Sequence, residues 1–213
     1  MKKLIISYLA FAMVFAVSCK KTTEEIVPTV KSDYFQLKVG NYWIYEGYQI
    51  DSTGVVTSTG ISDSAYIEKD TMIGGNSYFK LIEAPFIFSP LQYTIFLRDS
   101  SGYLVDKRGR ILASDFNFSD TLQFDTAHPS LYTGYLTMTG KDSLVKMAGG
   151  IELPSITAQY KIVPAPVYAG SMPVRYAYEV YARGIGKMKT HNFFFFTGYK
   201  SSFERRLLRY NVQ

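Results

Sequence analysis

Short runs of alternating apolar and polar residues, each ended by turn chemistry, recur along nearly the whole chain and constrain its fold more than any other feature. The first is Asn41–Tyr48, and Asp51-Ser52-Thr53-Gly54 turns it into Val55–Ser58. Ser64–Lys69 follows, and Gly74-Gly75-Asn76 passes the chain to Ser77–Ile82. Tyr93–Arg98 meets Asp99-Ser100-Ser101-Gly102 before Tyr103–Asp106, and Lys107-Arg108-Gly109 leads into Arg110–Ala113. The second half offers Tyr135–Met138, Ser143–Met147, Ile156–Val163, Arg175–Ala182 and Ser202–Tyr210. Gly184-Ile185-Gly186 breaks the pattern, as glycine does at a bulge or a close backbone approach.

Composition agrees, because 18 Tyr and 15 Phe suit strands better than helices. No amphipathic stretch at helical spacing runs beyond about ten residues, so little helix is expected. A short turn over Ser32–Phe35 is the best helical candidate. A terminal helix rivals the last strand, since Phe203, Leu207 and Leu208 also fit a helical period. The fold class expected is all-β: an antiparallel meander curled into a half-barrel or barrel, with a β-sandwich as the alternative. Curling follows because a flat sheet of a dozen or so strands leaves exposed edges. No Pro/Gly/Ser-rich linker divides residues 33–213, which read as one domain.

Ahead of this domain, Met1-Lys2-Lys3, the apolar run Leu4–Val17 and Ser18-Cys19 have the layout of a secretory signal over residues 1–18. The apolar run is about fourteen residues, short of the roughly twenty that a membrane-spanning helix needs. Ala16-Val17-Ser18-Cys19 resembles the lipobox of bacterial lipoproteins, with Ala where Leu is usual. The resemblance implies cleavage before Cys19, a diacylglycerol thioether on its sulfur and a further acyl chain on the new amino terminus. Two or three chains hold a protein on a membrane durably where one binds marginally. Cys19 is the sole cysteine, so no internal disulfide or Cys-based zinc site is available. Residues 19–32 then read as a lipidated cysteine and flexible tether. No Asp follows Cys19, which under the family's sorting rule favours the outer membrane, with its periplasmic or outward facing left open.

Tyr34-Phe35-Gln36-Leu37-Lys38-Val39-Gly40-Asn41-Tyr42-Trp43-Ile44-Tyr45 is similar to the opening of uncharacterised Bacteroidetes lipoproteins, in which Phe-x-Leu-x-x-Gly-Asn-x-Trp-x-Tyr starts the first strand. Arg183-Gly184-Ile185-Gly186-Lys187-Met188-Lys189 resembles the Gly-x-Gly segment near their end. What the resemblance implies is an antiparallel half-barrel like that of the envelope's lipoprotein carriers, without assigned chemistry. On alternation alone, Trp43 and Tyr45 share one face and Tyr42 and Ile44 the other. Trp43 reads as a core anchor, with ligand stacking as the alternative. A lipocalin would carry Gly-x-Trp at this point, where this chain has Gly40-x-x-Trp43.

Charge points to no partner. The formal charge is +5, and removing Lys2 and Lys3 leaves 21 basic against 18 acidic residues, a net +3. Lys107-Arg108-Gly109-Arg110, Arg205-Arg206 and Arg209 are turn and strand-edge charges and make no nucleic-acid track. His128 and His191, the only histidines, lack partners at ligand spacing and read as loop residues. There is no Gly-x-Ser-x-Gly elbow. Asp99, Asp106, Asp115, Asp120 and Asp125 sit in turn-like surroundings. Neither an enzyme nor a metal or cofactor is expected, although sequence leaves open a facing carboxylate pair of the glycosidase kind.

Two apolar runs remain, Phe86-Ile87-Phe88-Ser89-Pro90-Leu91 and Phe193-Phe194-Phe195-Phe196. Four consecutive Phe on a strand place two on each face, so they are either buried on both sides or form an exposed lining. Trp43, Phe86, Phe88, Phe193, Phe194, Phe195 and Phe196 are therefore the candidate contacts for an apolar or amphipathic ligand or a partner protein. The expected function is that of a non-catalytic, lipid-anchored envelope protein. The alternatives are an interaction subunit of an outer-membrane complex and a glycan-binding or glycan-hydrolysing surface lipoprotein.

Overall fold

The computed structural model describes residues 31–84, 91–126, 128–146, 151–193 and 201–213. Twelve strands form one antiparallel sheet. They are β1 (Tyr42–Ile50), β2 (Val56–Ile73), β3 (Asn76–Glu83), β4 (Tyr93–Ser100), β5 (Tyr103–Asp106) and β6 (Ile111–Ser114) in the first half. The second half holds β7 (Thr121–Asp125), β8 (Tyr132–Lys146), β9 (Glu152–Pro164), β10 (Arg175–Ala182), β11 (Gly186–Phe193) and β12 (Ser202–Asn211). Among the described residues, helix is confined to one 3-10 turn, Pro166–Tyr168.

The spatial order is β6-β5-β4-β3-β2-β1-β12-β11-β10-β9-β8-β7. Two meanders therefore run outward from a central seam where the first and last strands pair, with Trp43 opposite Tyr210. At the far edges β6 lies against β7, β8 and β9, and the Ser114 N–H points at the Met138 sulfur at 3.3 Å. No ladder joins β6 to β7, so the barrel is nearly closed, and the sandwich alternative does not form.

Alternation decides which residues line the interior. Trp43 and Tyr45 are buried in the core with Ile67, Leu136, Ile156 and Tyr181, whereas Tyr42 faces outward. The residues before β1 close one end of the barrel. Phe35 packs edge-on to Tyr181 with centroids 5.7 Å apart, and Gly184 N–H donates to Asp33 O at 2.8 Å. Asn41, fully buried, donates to Gln36 O at 2.8 Å and accepts from Gln213 N–H at 3.0 Å, which ties this plug to the C-terminus.

Several expectations need correction. Val56–Ser58 and Ser64–Lys69 are parts of one long β2, with Val55 just ahead of it, and the pairing of β2 with β1 shifts register between Glu46 and Tyr48. Likewise Tyr135–Met138 and Ser143–Lys146 belong to β8, which is irregular between Thr139 and Ser143, where Gly140 and Asp142 take positive φ. An irregularity inside a strand carries the same turn residues as a strand end, which is why each read as two. β7 and β11 are strands that the sequence reading lacked, and His191 and Asp125 lie on them and not in loops. Residues 33–35 form a plain turn, whereas Ser202–Tyr210 is the strand expected and not its helical rival, and it pairs with β1.

Candidate functional site

Three cavities follow one another through the barrel. The innermost, about 40 Å³, lies among Phe35, Trp43, Tyr45 and Ile67 beside the plug. The next, about 280 Å³, shares Leu97, Leu104, Tyr181 and Lys187 with it. The outermost, about 500 Å³, shares Ala177 and Asn192 with the second and adds Leu131, Tyr132, Ile162 and Phe193. Its surroundings are chiefly apolar, while those of the middle cavity include charged and phenolic groups. Exposed Tyr93 and Arg110 in the middle wall show that this space reaches the surface.

The middle cavity rests on a layer of buried charges. Lys187 Nζ lies 2.9 Å from Glu83 Oε2 and 3.3 Å from Glu179 Oε1. Arg205 forms a two-pronged pair with Asp63, stands 3.4 Å from Glu83 Oε2 and lies over the Tyr45 ring at 4.3 Å. Tyr93 donates its hydroxyl to Glu83 at 3.0 Å, and Tyr181 donates to Glu179 at 2.5 Å. The Tyr45 hydroxyl reaches Lys187 O at 2.9 Å, which fixes the strand that carries the lysine.

Strand register builds this layer. Glu179 on β10 faces Ala158 on β9 and Thr190 on β11, and Thr190 faces Arg205 on β12. Small Ala177 in the chamber wall leaves room that a larger side chain would fill. The Thr190 hydroxyl is buried in the cavity wall and has no hydrogen-bond partner among the described residues. Buried donors and acceptors are normally paired, so an orphan in a cavity wall is a place for something to bind.

Burial alone would raise the Glu83 carboxyl, yet Lys187 and Arg205 outweigh it and hold the group below its usual range. Burial likewise works against the Lys187 ammonium, but Glu179 and Glu83 outweigh it and push its pKa up. Burial drives the Tyr93, Tyr160 and Tyr181 phenols well above their ordinary value, so they remain hydrogen-bond donors. Exchanging a buried ion cluster for apolar residues is often neutral or stabilising, so stability alone does not account for this one.

Of the residues singled out from sequence, Trp43 lies beside the plug, where its indole N–H donates to Ile185 O at 2.7 Å. Phe193 lines the mouth, beneath the Arg175 guanidinium at 5.2 Å. Cys19, Phe86, Phe88, Phe194, Phe195 and Phe196 lie outside the described residues. His128 also lines the mouth, and His191 stacks on Tyr178 with ring centroids 4.7 Å apart. No group of three His, Cys, Asp or Glu among the described residues is placed to hold a metal ion. The sequence reading missed Glu83, Glu179, Thr190, Lys187 and Arg205. One signal was available: adjacent Arg205 and Arg206 within a strand must face opposite ways, which sends one of them inward.

No protein-family model matches the chain, and no curated protein matches it. Two solved structures are similar in outline. One is a Bacteroides fragilis protein described as exported and as having a YmcC-like fold, with 12% identity, 84% of this chain and 98% of that one covered, and a TM-score of 0.45. The other is a Parabacteroides distasonis protein described as a lipoprotein, also with 12% identity, 85% and 99% covered, and a TM-score of 0.46. Likeness at this level says nothing of what the cavity holds.

Proposed function

We propose that this chain is a lipid-anchored protein of the bacterial envelope that binds a small amphipathic molecule inside its barrel and performs no catalysis. The observation that carries the binding reading is the sequence of spaces along the interior: an apolar mouth at Leu131, Ile162 and Phe193 leads into a polar chamber at Glu179, Thr190 and Lys187. An apolar tail in the former and a hydrogen-bonding end in the latter would satisfy both surfaces. The anchor rests on the lipobox-like Ala16-Val17-Ser18-Cys19, with the outer membrane as the proposed site of attachment and either facing compatible with it.

Native mass spectrometry of the full chain extracted from its membranes tests the binding. A small amphiphile should accompany the wild type and be absent from Ala177→Phe, which fills the space shared by mouth and chamber. Adducts of equal abundance on both proteins, or none on the wild type, would refute it. Labelled palmitate should appear on the wild type and not on Cys19→Ser; a label on neither would remove the anchor.

A further inference from the structure

The charged layer is unbalanced. Among the described residues two cations, Lys187 and Arg205, face three carboxylates, Glu83, Asp63 and Glu179. Glu83 is met by both cations and by the Tyr93 hydroxyl, and Asp63 by Arg205. Glu179 has the longer contact to Lys187, at 3.3 Å, and the Tyr181 hydroxyl. Its side chain is the most exposed of the three, at 26% against 4% for Glu83 and 13% for Asp63. Arg110 in the chamber wall does not restore the balance, because buried Asp106 takes its guanidinium at 2.7 Å. Farther out, Asp125 accepts from the Tyr132 hydroxyl at 3.5 Å and Arg175 covers Phe193.

Directly across the ladder from Glu179 stands Thr190, 9% exposed, with its unpartnered hydroxyl in the chamber wall. A hydroxyl accepts as readily as it donates. Side chains at directly opposed positions stand about 5 Å apart at Cβ, a spacing at which a carboxylate and a hydroxyl can accept from a single three-donor group. Tyr160 and Tyr181 supply aromatic surface in the same wall, which favours a cation over an anion. Among the described residues Glu179 is the one carboxylate in the chamber wall, and the cations there, Lys187, Arg205 and Arg110, are already engaged by Glu83, Asp63 and Asp106.

We infer that the chamber selects amphiphiles whose polar end is a primary ammonium, held between the Glu179 carboxylate and the Thr190 hydroxyl. The inference rests on the binding reading above and narrows its ligand class. Hexylammonium, hexanol and hexanoate share one tail and differ in head charge. They are titrated calorimetrically into the detergent-solubilised full chain, each against a protein-free blank. Hexylammonium should bind at least tenfold more tightly than hexanol, and hexanoate most weakly. Glu179→Gln should cost hexylammonium about tenfold and leave hexanol within twofold, and Thr190→Val should cost hexylammonium about threefold. Equal binding of the three probes, or tightest binding of hexanoate, would overturn the cation inference and leave the apolar site standing. No binding of any probe would overturn both.

Discussion

Gly186 lies against the indole of Trp43 so closely that a Cβ on the glycine would stand 3.3 Å from the ring's Cζ2. Gly186 also has a φ of +94°, a region that side chains rarely adopt. Gly186→Ala should therefore destabilise the chain by about 1–3 kcal/mol, through backbone strain and displacement of the ring. Trp43 is the only Trp, so its emission during urea unfolding reads the effect directly. An unchanged midpoint would show that the ring gives way freely.

Lys187 lies between two carboxylates, and its removal leaves Glu83 with Arg205 as its one cation and Glu179 with none among the described residues. Lys187→Met should cost about 3–5 kcal/mol, the usual penalty for breaking a buried pair. Adding Glu83→Gln should recover at least about 1 kcal/mol of that loss, a coupling that a double-mutant cycle measures. Strict additivity would mean that the two groups do not interact.

Glu204 belongs to a separate cluster on the outward face, with Tyr178, Lys189, His191 and Arg206 around it. Burial would raise its carboxyl, but these neighbours outweigh burial and bring it down to about 2 from 4.5. A depressed folded value stabilises the protein above the unfolded pKa, and that gain is lost as pH falls through the interval between them. The wild type should accordingly lose about 1–3 kcal/mol more than Glu204→Gln as pH falls from about 4.5 to about 2. Parallel stability curves for the two proteins would refute this.

Asn41 joins the plug to the last residue of the chain. Asn41→Ala leaves Gln36 O and Gln213 N–H without these bonds in a buried place, at a cost of about 1–3 kcal/mol. Hydrogen exchange should show the greatest loss of protection over residues 34–41. Uniform loss across the barrel would instead make Asn41 part of the global core.

The strands with clean alternation were legible, as with Trp43 and Tyr45 against Tyr42, because period two follows from the pleat itself. β11 was not, since Gly184 and Gly186 look like an ending when one turns the chain and the other makes room for Trp43. The order in which strands meet was also hidden: nothing local in Tyr42–Ile50 announces a partner at the other end of the chain. The chamber was hidden for a related reason. Glu83, Glu179, Lys187 and Arg205 lie on four different strands, and only register converts those positions into one layer.

Because β1 pairs with β12, a nascent polypeptide cannot finish its barrel until its final ten-residue strand has emerged. Each meander consists of neighbour-to-neighbour hairpins and can assemble early, whereas the seam between them is the contact of longest sequence separation and the slowest to find. Until then, one flank of β1 presents free amide and carbonyl groups to any stray chain. That hazard at the seam ends in a single step, when Ser202–Asn211 docks, whereas β6 and β7, which no ladder joins, keep their open flanks.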